Sequence, residues 1–119
     1  MLDSIATDHV STVLSDFGAA LAAGDIDRAA AMFQDECYWR DLVTFTWNIK
    51  TVEGRAEVAD MLRHQLATTK PSDWRIAEGE TASEDGGVTT AWISFETAVA
   101  RGYGLIRLKE GKIWTLLTS

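Results

Sequence analysis

The stretch FGAALAAGDIDRAAAMFQDECYWRD, residues 17–41, decides the architecture. Its first half continues a helical repeat that starts upstream. Ile5, Val10, Val13, Leu14, Phe17 and Leu21 recur at the spacing of one helix face. Asp3 or Ser4 is placed to cap that helix. Ala22-Ala23-Gly24 ends it, because glycine enters the left-handed C-terminal cap without a Cβ penalty. Asp25 then caps a short second helix whose Ile26, Ala29, Ala30 and Phe33 share one apolar face. From Cys37 to Thr46, aromatic and β-branched residues take over and predict a strand.

Downstream, Trp47-Asn48 predicts a turn and Ile49 to Glu53 a short returning strand, broken by Gly54. Val58, Met61, Leu62, Gln65 and Leu66 mark a third, amphipathic helix over 55–69. Pro71 ends it, since proline excludes the helical conformation from the residue before it. Four strands are then predicted, Trp74 to Ala82, Val88 to Ala100, Tyr103 to Lys109 and Lys112 to Thr118. Polar Ser83–Gly87, a bend or bulge at Arg101-Gly102 or Gly104, and Glu110-Gly111 join them. Consecutive strands on short turns pair antiparallel. The expected fold is α+β, a single domain over 1–119. Three helices pack on one side of an antiparallel or mixed sheet; the resemblance given below implies that the sheet is curved and the hollow cone-shaped. In the last strand Trp114 and Leu116 share one face and Ile113 and Leu117 the other, so both faces expect cover. A homodimer through the outer sheet face is the simplest cover, and a neighbouring domain is the rival.

Composition narrows the function classes. Eleven basic against eighteen acidic residues leave a net charge of −7, a sign that disfavours nucleic acid and anionic membrane surfaces. No apolar run reaches the ~18 residues of a membrane span. The N-terminus MLDSIATDHV lacks a basic start and an apolar stretch, so a cytoplasmic protein is expected. One cysteine, Cys37, and two histidines, His9 and His64, do not predict a structural metal site. No nucleotide-binding glycine pattern follows a strand, because Gly102-Tyr103-Gly104 lacks a third glycine and a following helix, so no cofactor is expected. Five tryptophans in 119 residues are many. Indoles are costly to expose and each needs a partner for its N–H, which suggests a lined cavity or a buried partner surface.

The residues 17–41, with their Ala-Gly-Asp corner and aromatic-then-acidic strand, resemble the nuclear transport factor 2-like superfamily, which includes ketosteroid isomerases and SnoaL-like polyketide cyclases. The resemblance covers nearly the whole chain. It implies a curved sheet wrapped round helices with a pocket in the cone. A narrower resemblance is carried by YWRDLVTFTWNIKTVEGR and FETAVARGYGLIRLKEGKIWTLLT. Both are similar to the domain that precedes the oxidoreductase part of some bacterial flavin-containing monooxygenases, which implies a flavin oxidoreductase as a possible partner. The isomerase resemblance places Asp41 on the position of the general base. It places Phe17 where the family has a tyrosine and Gly104 where it has a protonated acid, so both donors to the developing oxyanion are missing and steroid isomerisation is not expected.

The candidate catalytic residues are Asp41, as a general acid or base, and His64 on the third helix, one turn after Met61. The plainer alternatives are an Asp41 paired with Arg40 or another arginine at the pocket rim, and a solvated histidine. The candidate lining for a small hydrophobic or aromatic ligand is Phe17, Trp39, Trp47, Met61, Trp74, Trp92 and Tyr103. The alternative for the aromatics is a large-residue core. Three functions are consistent with the sequence. The first is a ligand-binding or accessory domain, the second a cofactor-free isomerase, cyclase or hydratase using Asp41, and the third a dimerisation or docking module.

Overall fold

The computed structural model describes residues 2–42 and 49–119. Helix α1 runs Leu2–Ala22, earlier than the Asp3 or Ser4 cap expected, and buries Val10, Val13, Leu14, Phe17, Ala20 and Leu21. Gly24, at φ 70°, turns the chain, and the amide of Asp25 donates to Ala20 O at 2.9 Å, closing the helix end. Asp25 Oδ1 accepts the amide of Arg28 at 3.2 Å and so caps α2, Ile26–Ala31, as expected. Helix α3, Gly54–Thr69, buries Val58, Ala59, Met61, Leu62 and Thr69. It stops at Lys70, which adopts a left-handed conformation directly before Pro71.

The strands are β1 (Phe33–Leu42), β2 (Ile49–Glu53), β3 (Ser72–Ile76), β4 (Ser83–Asp85), β5 (Val88–Glu96), β6 (Arg101–Lys109) and β7 (Lys112–Thr118). The expected strand over 74–82 stops early, since β3 ends at Ile76 and the polar run around Gly79 turns; Ser83–Asp85, expected as part of the next turn, instead forms β4 on the same edge of β5 and leaves the turn to Gly86-Gly87. The expected strand 88–100 ends at Glu96, because Thr97 closes a turn in which its amide donates to Ala100 O at 2.8 Å. The turn expected at Trp47-Asn48 lies outside the described residues.

The sheet order is β2-β1-β7-β6-β5-β3, with β4 beside β5, and its end strands do not meet. β1–β2, β4–β5, β5–β6 and β6–β7 pair antiparallel as expected, but β1 and β7 pair parallel. The sheet is therefore mixed, curved and unclosed, with the three helices packed on its concave side.

One irregularity revises the sidedness of β7. The β6–β7 register shifts between Arg107 and Leu108, so Ile113 and Leu116 both turn inward and are buried. Trp114, Thr115 and Leu117 are half-buried outside, and Lys109 Nζ stands over the Trp114 ring, 5.1 Å from its centroid. The outer face is less completely apolar than strict alternation implied.

The concave side is aromatic. Phe17 of α1 is a wedge between two stacked pairs, Phe33 on Trp39 (5.9 Å) and Trp74 on Phe95 (4.4 Å). It meets Phe33 at 5.8 Å, Trp39 at 6.1 Å and Trp74 at 5.2 Å, each edge to face.

Candidate functional site

Alternation along β1 sends Cys37, Trp39 and Asp41 inward and Arg40 outward. Asp41 is therefore a carboxylate of 0% exposure at the inner end of its strand. Arg40 is exposed on the opposite face, so the expected alternative of an Asp41–Arg40 pair does not hold. The parallel register sets Thr118 beside Asp41. Thr118 Oγ1 donates to Asp41 Oδ1 at 2.7 Å, and Trp39 Nε1 donates to the same hydroxyl at 2.9 Å. The direction of this relay is forced. An indole N–H only donates, so the threonine oxygen accepts it and its own proton goes on to the carboxylate. All three side chains are buried.

Two clefts open near this end of the sheet. One, about 290 Å³, is walled by Leu42, Thr69, Ala98, Val99, Gly102 and Ser119. Leu42 directly follows Asp41 and Ser119 directly follows Thr118, so the cleft lies at the ends of the two strands that carry the relay. It is roofed by the bond from the Ala98 amide to Thr69 O, 2.8 Å. The other, about 530 Å³, lies between β2 and α3 and is lined by Lys50, Val52, Met61, His64 and Gln65 among others. Lys50 is the β2 partner of Asp41 and is exposed.

The residues singled out from sequence divide among these places. Phe17, Trp39 and Trp74 are buried on the concave side, and Met61 is buried beside them while lining the β2–α3 cleft. His64 is exposed. Its Nδ1 stands 2.7 Å from Asp60 O, and since a carbonyl only accepts, Nδ1 carries the proton. It lines the same cleft as Lys50, the β2 partner of Asp41. Trp92 and Tyr103 are corrected. They are 53% and 54% exposed on the outer face, because β5 and β6 alternate with Ile93, Phe95, Gly102 and Gly104 inward. Trp47 lies outside the described residues. At Gly104, where the sequence resemblance implied that the family has an acid, backbone closes the space: a Cβ there would stand 2.1 Å from Leu117 O. Cys37 is buried, and burial pushes its thiol up from the ordinary value, partly offset by the Gly54 backbone and Arg55.

Sequence reasoning missed Thr118 and Lys50, the two residues that face Asp41 across its neighbours. The signal for Thr118 was a hydroxyl alternating with Leu116 at the inward end of the last strand. It becomes legible only once β1 and β7 are known to be parallel. Among the described residues no three His, Cys, Asp or Glu side chains gather as a metal site, and no helix is long and apolar enough to cross a membrane.

The arrangement has relatives. The family model of the SnoaL-like domain matches residues 14–116. An NTF-2 like protein of unknown function from Burkholderia xenovorans shares the fold with a TM-score of 0.62 at 15% identity, over 94% of this chain and 82% of that one. An LEH-like epoxide hydrolase of Mycobacterium tuberculosis gives a TM-score of 0.59 at 16% identity, over 94% and 82%. The Orange Carotenoid Protein of Anabaena binding canthaxanthin gives 0.68 at 13% identity, over 92% of this chain and 36% of that one. No curated protein matches this chain.

Proposed function

Because the chain belongs to the SnoaL-like domain family, we propose that this domain is a small-molecule binder whose ligand reaches Asp41 from the open end of the sheet. One observation carries this reading, the fully buried Asp41 held by the Trp39–Thr118 relay. A buried charge costs several kcal/mol unless it is hydrogen-bonded, and a position needed only for packing is better filled by leucine or valine. A dedicated hydroxyl spent on this carboxylate supports a role toward a ligand. Leu42, Val99 and Gly102 supply apolar lining on one side of that end of the sheet, and Val52 and Met61 on the other. The relatives are consistent with this, one being a canthaxanthin-binding protein and another an LEH-like epoxide hydrolase, so the architecture accommodates both binding and chemistry.

The second reading is cofactor-free acid–base catalysis by Asp41, in an isomerase, cyclase or hydratase. The relay favours it, since Thr118 donates to Oδ1 of Asp41 and fixes the orientation of the carboxyl at the sheet's open end. One variant separates the readings. Native mass spectrometry and a screen of small neutral molecules identify a binder, and Asp41→Asn is then compared with the parent. Loss of binding by tenfold or more supports the anchor. Binding kept with turnover lost supports catalysis. Unchanged binding and turnover refute both.

We further propose that a second copy covers the outer face. The support is a row across four strands, Trp92, Leu105, Leu117 and Arg40, with exposed Tyr103 beside it. Sedimentation of the parent and of Trp92→Ser decides it: a dimer that Trp92→Ser dissociates is expected, and a parent that stays monomeric at about 100 micromolar refutes it. In that case a flavin oxidoreductase becomes the partner to test on the same face.

A further inference from the structure

Another cavity, about 550 Å³, opens in the helical layer and shares no residue with the two clefts near Asp41. It lies between the α1–α2 corner and α3. Buried Leu21 and Leu62 lie deepest, and half-buried Ile26 and Leu66 with Pro71 wall it. The corner contributes only Ala22, Ala23 and Gly24, and a Cβ on Gly24 would meet nothing within 4 Å, so the trough stays open on that side. Its volume falls within the ~300–1,000 Å³ of small-molecule sites, and its lining is mostly apolar, as theirs is.

The charge of this trough is one-sided. Arg63 and Lys70 line it and no acid does, in a chain of net charge −7. The two cations are not equivalent. Arg63 stands 3.4 Å from Asp60 and 3.9 Å from Asp27, so its charge is answered and its methylenes extend the apolar wall. Lys70 makes no ion pair among the described residues. It sits at φ 48° at the C-terminal cap of α3, where glycine avoids the Cβ penalty. A lysine kept in a glycine's position beside an apolar trough points to a use for its ammonium. Leu62, Leu66 and Lys70 follow at intervals of four residues and share one flank of the helix. From Leu62 to Lys70 is roughly 12 Å, about the reach of an eight- to ten-carbon chain.

We propose that this trough binds an aliphatic monocarboxylate, its alkyl chain on Leu62, Leu66 and Ile26 and its carboxylate on Lys70. The site is separate from Asp41 and goes beyond the reading above. An acidic peptide fits less well, since it brings several charges and a polar backbone to one unanswered ammonium. The rival account of Lys70 is that its charge only complements the C-terminal end of α3. That end and the end of α1 weaken the attraction for an anion, so the head group must reach the ammonium itself.

The test titrates the full chain with octanoate and with octanol, following methyl resonances by NMR in the parent, Lys70→Gly and Ala67→Trp. Octanoate is expected to move the Ile26, Leu62 and Leu66 signals and to bind about fivefold tighter than octanol, the upper range of one exposed ion pair. In Lys70→Gly, which suits the left-handed cap and so keeps the fold, that ratio falls to about one. Lys70→Gln gives the same loss with the side-chain length retained. Ala67 is exposed at the rim, and Ala67→Trp fills the trough and weakens both probes about tenfold or more. Equal affinities in the parent, or a ratio that survives both Lys70 variants, overturn the proposal. Signals that move at Val52 and Met61 instead overturn this site and support the Asp41 reading. Binding of neither probe overturns the proposal and leaves that reading as it stands. An acidic amphipathic peptide that shifts the trough signals where octanoate does not overturns it as well.

Discussion

Gly102→Ala tests how tightly the concave side is built. A Cβ at Gly102 would stand 2.3 Å from Cζ, 2.5 Å from Cε2 and 2.8 Å from Cε1 of Phe95. Carbon atoms rest at about 3.5–4.0 Å, so the ring must retreat by roughly 1 Å or more. A retreat away from Gly102 presses it on Trp74, already stacked at 4.4 Å, which is itself backed by Phe17 and Gly18. Overpacking costs about 1–3 kcal/mol and a disturbed aromatic pair about 0.5–1.5 more. The expected loss is therefore about 2–4 kcal/mol, with a Tm lowered by roughly 6–20 °C for a chain of this size. Urea denaturation gives the loss and near-ultraviolet circular dichroism the altered indole environment. Phe95→Leu supplies the control: if the clash is with the ring, Gly102→Ala costs at least 1 kcal/mol less in the Phe95→Leu background (about the threshold at which coupling is resolved). A Gly102→Ala protein within about 0.5 kcal/mol of the parent refutes this packing.

Thr118→Val should cost about 2–4 kcal/mol in urea denaturation, because it leaves Trp39 Nε1 without its acceptor and removes a donor from buried Asp41; a loss near that of an ordinary isosteric swap would show that the relay is not formed. Cys37 has a thiol raised by burial, so the folded state holds its proton where the unfolded chain releases it. Its contribution is complete below the ordinary thiol value of about 8.5 and is lost as pH rises beyond it, so Cys37→Ala, though less stable, should lose less stability than the parent from pH ~8 to ~10, and a parallel decline would count against it. Glu110 is held at φ 53° ahead of Gly111 at φ 79° in the β6–β7 hairpin. Glu110→Asn, which suits both left-handed positions of such a turn, should raise stability by about 0.5 kcal/mol in thermal unfolding, and no gain would mean that the turn relaxes.

Much of the scaffold was legible because its signals are local. The Gly24-Asp25 corner, the cap by Asp25, the helix end before Pro71 and the Glu110-Gly111 turn each follow from the chemistry of one or two residues, and each stands where expected. Strand ends were less legible. Glu96 stops β5 because Thr97 folds back on Ala100, a preference of one hydroxyl that composition does not weigh. Inward and outward placement followed alternation in β1, where it put Asp41 and Trp39 inside, and failed in β7, where one register shift moved Leu116 to the side of Ile113. Trp92 and Tyr103 were assigned to the interior on aromatic character alone, and character carries no information about strand phase. The partner of Asp41 could not be read at all, because a parallel pairing between the first and last strands leaves no periodic trace in either.

That pairing also sets when the relay can exist. Thr118 lies 77 residues after Asp41. On a ribosome, or in any fragment that lacks β7, the acid would be made long before the hydroxyl that steadies it, and β1 would wait with one edge unfilled. Closing that distance is slow relative to the local hairpins β5–β6 and β6–β7. The pairing of β7 with β1 therefore joins the two halves of the sheet and forms the Asp41 relay together, so a chain in which these strands are apart lacks the relay.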